Sequence, residues 1–187
     1  MEKFFNTEGP MKADMHYLIA SFQRFDWEEV RVLIERQKYF LLHAPRQTGK
    51  TTALMEMVTA LNQEGRYLAL YVNIEAAQTA RNQVSLGNRT ICNAIARAAR
   101  LYHQNSELIQ WFESQSDRDN HWMVFNLLEQ WNLNSDKPIV LLLDEVDALI
   151  GDTLVSLLRQ LRTGYIFGRT PKAGYSALPT KRRGHSY

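Results

Sequence analysis

A lysine and a threonine stand side by side at the end of the run Ala44-Pro45-Arg46-Gln47-Thr48-Gly49-Lys50-Thr51. An ammonium and a hydroxyl placed directly after a glycine suit one task in particular. The lysine offers positive charge to phosphate oxygens, and the hydroxyl is a hard oxygen ligand for a magnesium ion. The spacing is that of a phosphate-binding P-loop (Walker A), except that Ala44 occupies the place of the first glycine. Gly49 allows close backbone approach where a Cβ would collide. The candidate phosphate-binding residues are Ala44, Pro45, Arg46, Gln47, Thr48, Gly49, Lys50, Thr51 and Thr52. In Arg46 and Gln47 the backbone N–H groups are expected to matter more than the side chains.

A second stretch carries complementary chemistry. Pro138-Ile139-Val140-Leu141-Leu142-Leu143-Asp144-Glu145 is an apolar run that ends in two carboxylates. Ligands of open α/β sheets bind at the carboxyl ends of strands, which is where this pair would fall. The pattern is a Walker B strand with an extra glutamate. Asp144 is expected to hold Mg²⁺ together with Thr51, and Glu145 to polarise an attacking water as the catalytic base.

These residues need a scaffold of strand, loop and helix. Tyr39-Phe40-Leu41-Leu42-His43 reads as a buried strand entering the loop, and a helix is expected from about residue 50 to 63, closed by Gly65. That order aims backbone N–H groups and a helix N-terminus at one point, which favours an anion. Residues 67–74 are nearly all apolar, as in a parallel strand covered on both faces. Residues 79–103 and 106–132 read as helices, the second broken near 114–120. Asp26 followed by Glu29 predicts a capping box that opens a helix leading to residue 38. A helix over 153–162 follows the carboxylate pair. Trp122, Phe125, Leu128 and Trp131 read as core rather than as a base-stacking platform.

The chain has 187 residues, 45% apolar and 22% charged, which fits one globular domain. The net charge of +2 is unevenly spread. Residues 165–187 hold five Lys/Arg and no Asp or Glu, so the remainder carries 17 basic against 20 acidic residues. The body is mildly acidic, and the tail is basic. Such a tail can touch nucleic acid, but no aromatic-basic pattern accompanies it, and a solvated, disordered end is expected. The one cysteine, Cys92, cannot form an internal disulfide and is expected to be buried. No secretory signal and no membrane-spanning run is legible, so a cytoplasmic setting is expected.

Three stretches together resemble a known family. They are Phe5-Asn6-Thr7-Glu8-Gly9-Pro10 leading to His16-Tyr17, His43 to Thr52, and Leu143-Asp144-Glu145-Val146-Asp147-Ala148-Leu149. Over about residues 4–164 the chain resembles prokaryotic AAA-like ATP-binding proteins, near the archaeal-ATPase and STAND branches of the additional-strand P-loop ATPases. The resemblance implies an α/β, three-layer P-loop NTPase fold with a parallel sheet. It implies ATP and Mg²⁺ as cofactors, and possible self-assembly or a partner protein. Adenine contacts would come from residues 10–25.

The resemblance also implies five strands in the order 5-1-4-3-2, of which this chain offers only the first three. After residue 164 no apolar run of strand length follows, and Gly and Pro punctuate the chain. A shifted reading frame or truncation is expected, against a natural short variant with a basic tail. The expected organisation is a packed segment over 1–25, a P-loop core over 26–164, incomplete at its C-terminal strands, and the tail over 165–187. The expected function is Mg-dependent ATP hydrolysis in the intact form, with this chain weak or inactive. The alternative is a nucleotide-gated switch or fragment that binds ATP without useful turnover. A small-molecule kinase fits less well, because the Asp144-Glu145 pair suits water activation and no arginine-rich lid is visible. Arg159 is expected on a solvated helix face.

Overall fold

The structure is a computed structural model that describes residues 26–43, 48–115, 121–167 and 175–176. The elements are α1 (Trp27–Glu35), α2 (Lys50–Glu64), β1 (Leu68–Asn73), α3 (Val84–His103), α4 (Ser106–Ser114), α5 (Met123–Leu133), β2 (Ile139–Asp144), α6 (Asp152–Phe167) and β3 (Tyr175–Ser176). Short 3₁₀ turns cover Glu75–Ala80 and Val146–Ala148. The segment 1–25, the loop 44–47, residues 116–120 of the break expected near 114–120, and most of the tail lie outside the described residues.

The fold is α/β with a small parallel sheet. β1 and β2 pair in parallel from Leu68 opposite Ile139 to Asn73 opposite Asp144. β3 adds two residues in parallel to the other side of β2, at Ile139 and Val140. Alternation along the strands sends side chains to opposite faces. Leu70, Val72, Ile139 and Leu141 enter a large core with α3, α4, α5 and α6. Ala69, Val140 and Leu142 enter a smaller core with Val30 and Ile34 of α1 and Leu54, Met57, Val58 and Leu61 of α2. The sheet is therefore covered by helices on both faces, which explains its nearly continuous apolar sequence.

Local sequence accounts for the helix ends. Asp26 accepts a hydrogen bond from the Glu29 N–H at 3.0 Å, as the capping pattern predicts. Asn105 caps α4 through the Leu108 N–H at 3.0 Å. The N-terminus of α5 is capped from another helix: the Gln160 side chain accepts from the N–H groups of Val124 at 3.0 Å and Phe125 at 3.1 Å. Gly65 ends α2 as expected. Gly87 lets α3 approach α6, since a Cβ there would collide with Thr153. Cys92 and Trp131 are buried, as expected, whereas Trp122 is half exposed. Among the described residues, no helix is long and apolar enough to cross a membrane.

Three expectations require correction. Residues 39–43 are not a strand. A strand needs a neighbouring backbone edge to pair with; here residues 40–43 and β2 instead line a common cavity of about 290 Å³, with Phe40, Leu42, Leu141, Leu143 and Leu161 in its wall. The segment is held instead through α6. The Tyr39 hydroxyl donates to the Leu161 carbonyl at 2.6 Å, and Lys38 Nζ donates to the Tyr165 hydroxyl at 3.4 Å. The helix expected from residue 79 begins at Val84, because a 3₁₀ turn and Arg81, at a positive φ of 46°, intervene. Finally, residues 175–176 form a short strand in a stretch expected to have none.

Candidate functional site

The end of β2 and the start of α2 converge on Asp144. Register and alternation explain how. Asn73 lies opposite Asp144 and Tyr71 opposite Leu142, so on the α2 face the side chains of Tyr71, Asn73 and Asp144 cluster at the carboxyl end of the sheet. Gly49, in the left-handed region at φ 82°, turns the chain into α2 and has no side chain with which to cap it. The first turn of α2 contains no acidic residue. Its positive end therefore faces the site without a side-chain carboxylate of its own.

The resulting contacts are short. Thr51 Oγ1 donates to Asp144 Oδ2 at 2.7 Å, across 93 residues of sequence. Lys50 Nζ pairs with Asp144 Oδ1 at 3.2 Å. The Glu145 N–H donates to the same Oδ1 at 3.0 Å, and the Tyr71 hydroxyl donates to Oδ2 at 3.2 Å. The Asp144 side chain is only 1% exposed, so these donors are what makes its charge tolerable there. Burial acts to raise its pKa. The hydrogen bonds from Thr51 and Lys50, the Lys50 charge and the Glu145 N–H outweigh burial and hold the carboxyl below its ordinary value. Burial likewise works against the Lys50 ammonium, but Asp144, with Glu145 and Asp147 behind it, raises the lysine pKa above the usual 10.5. Tyr71 is pushed up to about 12, first by burial and then by the Asp144 charge.

Glu145 adopts φ 60°, a left-handed conformation uncommon for a residue with a Cβ and often found at functional sites. It lines the same cavity as Lys50, Asp144 and Asp147. The structure thus brings together Lys50, Thr51, Asp144 and Glu145 of the residues singled out from sequence. Thr48, Gly49 and Thr52 adjoin them at the start of α2, while Ala44, Pro45, Arg46 and Gln47 lie outside the described residues. Arg159 is exposed on α6, away from this cavity, beside a separate hollow with Trp122 and Asp152.

Tyr71 was missed by sequence reading. The signal was the polar end of one face of β1, Ala69-Tyr71-Asn73, hidden inside a run that reads as uniformly apolar. The donor set suits a hard cation: one carboxylate and one hydroxyl from the protein, with other positions left to waters and phosphate oxygens, is how Mg²⁺ is commonly held. No cluster of three or more His, Cys, Asp or Glu suited to a metal occurs among the described residues.

Among curated proteins and among solved structures, nothing matches the chain. One family does, the AAA-like domain, over residues 8–165. That span takes in the site and every helix around it except the last two residues of α6, and the chain belongs to the AAA-like domain family.

Proposed function

We propose that this AAA-like chain binds ATP with Mg²⁺ at the Lys50–Thr51–Asp144 cluster, within a P-loop NTPase core that spans residues 26–164. The flanking parts are residues 1–25 and 165–187. The observation that carries the reading is the convergence of Lys50 and Thr51 on Asp144, at 3.2 Å and 2.7 Å. A lysine, a hydroxyl and a carboxylate from opposite ends of the core meet at an acid-free helix N-terminus. Lys50 places its charge opposite the β- and γ-phosphates, and residues 44–52, apart from Pro45, offer backbone N–H groups to the phosphate chain. Thr51 and Asp144 present oxygens to the metal. Mg²⁺ held there neutralises charge on the phosphate oxygens. Glu145, next in sequence, would accept a proton from a water whose oxygen bonds to the γ-phosphorus as the bridging oxygen–γ-phosphorus bond breaks, releasing ADP and phosphate.

One observation favours a second reading, a nucleotide-gated switch with little turnover. Among the described residues, β2 is paired on its β3 side only at Ile139 and Val140. The described strand on that side, β3, pairs at the start of β2, whereas Asp144 stands at its other end. Steady-state phosphate release separates the two readings. Hydrolysis predicts Mg-dependent release that falls at least a hundredfold in Glu145→Gln, the size of effect expected for loss of a general base. Retained binding with no release in the parent selects the switch.

A further inference from the structure

Among the described residues the Asp144 carboxylate has four donors, and they do not have equal duties. In the reading proposed above, Lys50 is required at phosphate and the Thr51 oxygen at the metal. The donors without a second task are the Glu145 N–H on Oδ1 and the Tyr71 hydroxyl on Oδ2. Once Lys50 and Thr51 are redirected, Oδ2 keeps one partner that need not move, Tyr71.

We propose that Tyr71 is a positioning residue for the metal site, its hydroxyl fixing the Asp144 carboxylate in the orientation that receives Mg²⁺. Its own placement is well determined. The ring packs against the small core between α2 and the sheet, and the residue is pinned on both sides within β1, where Leu70 and Val72 are buried in the large core. The hydroxyl donates to Asp144 Oδ2 at 3.2 Å, the same oxygen that Thr51 Oγ1 reaches at 2.7 Å. A rigid aromatic carried on a paired strand holds its hydroxyl more steadily than a long flexible side chain would. Carboxylates that ligate metals are themselves commonly oriented by such hydrogen bonds, and removing one weakens metal affinity by about 10- to 100-fold.

The inference rests on the ATP-binding reading, and the test keeps the two apart. A fluorescent ATP analogue is titrated into the parent and into Tyr71→Phe, in EDTA and then across a Mg²⁺ series. Thermal melting of both proteins without nucleotide runs alongside. Phenylalanine keeps the ring and its packing. The expected result is unchanged affinity in EDTA, with the Mg²⁺ concentration that gives half of the metal-dependent gain raised about tenfold or more. An unchanged Mg²⁺ midpoint overturns the inference. So does an equal loss of affinity with and without Mg²⁺, which would mark Tyr71 as structural only. A parent that does not bind the analogue in either condition overturns the ATP-binding reading, and this inference with it.

Discussion

The two edges of the sheet are finished differently. At the outer edge of β1, the groups of Ala69 are met by side chains. Asn62 donates to the Ala69 carbonyl and accepts from the Ala69 N–H, both at 2.9 Å, so its amide acts as a short substitute strand. His103 Nε2 lies 2.9 Å from the same carbonyl. On the other side, β2 meets β3 at two positions and then borders the cavity, with residues 40–43 beyond it. The closed edge belongs to the part of the molecule that holds the fold. The other edge, less paired among the described residues, borders the part that carries the candidate chemistry. Main-chain groups left unpaired at an edge are costly when buried and adhesive when exposed, so an opening of this kind is tolerated best where something else binds.

The contrast predicts where substitutions hurt. Leu127 is fully buried in the large core between α3, α5 and α6. Leu127→Ala should cost about 2–5 kcal/mol, enough to unfold much of a marginal domain, as read by urea denaturation. At the closed edge, Asn62→Ala leaves both Ala69 groups without their amide partner and should cost about 1–3 kcal/mol. Leu41, 69% exposed beside the opening, should change stability by no more than about 0.5 kcal/mol when replaced by Ser. An Asn62 variant no less stable than the Leu41 variant would erase the distinction between the edges.

The smallest expected effect is a pH dependence at the closed edge. Burial depresses the His103 pKa below its ordinary 6.5; the hydrogen bond with Ala69 opposes this and the charge of Lys137 adds to it. A group with a lowered folded pKa contributes stability that is present above 6.5 and is lost as pH falls through the folded value, because the unfolded chain then takes up the proton first. Stability should therefore decline on acidification below that point, and His103→Gln should flatten that part of the profile. A second decline, from the depressed Asp144 carboxyl, belongs below its ordinary 3.8 and should persist in the His103 variant. Identical profiles for parent and variant would remove His103 from the account.

Much of the site was legible because its chemistry is local. Gly49-Lys50-Thr51 and Asp144-Glu145 announce themselves by residue type and spacing, and the capping of α1 by Asp26 follows from a four-residue rule. Strands β1 and β2 were legible as apolar runs of the right length. What the sequence hid was pairing. Residues 39–43 have the composition of a strand, yet strand formation depends on a neighbouring edge that lies far away in sequence. Tyr71 was invisible for a related reason, since only the register of β1 against β2 brings its hydroxyl to Asp144. The break before α3 turns on Arg81 at a positive φ, for which neither a glycine nor a proline gives warning.

The most direct test of the central claim is the affinity of the parent and of Lys50→Ala for Mg·ATP, measured by isothermal titration calorimetry, with melting curves to confirm that both are folded. Lys50 is paired with Asp144 at 3.2 Å at the candidate phosphate site, and its loss leaves a charge-assisted contact unmade. The account predicts measurable binding by the parent and a loss of at least about tenfold in the variant. Equal affinity in two folded proteins would contradict it.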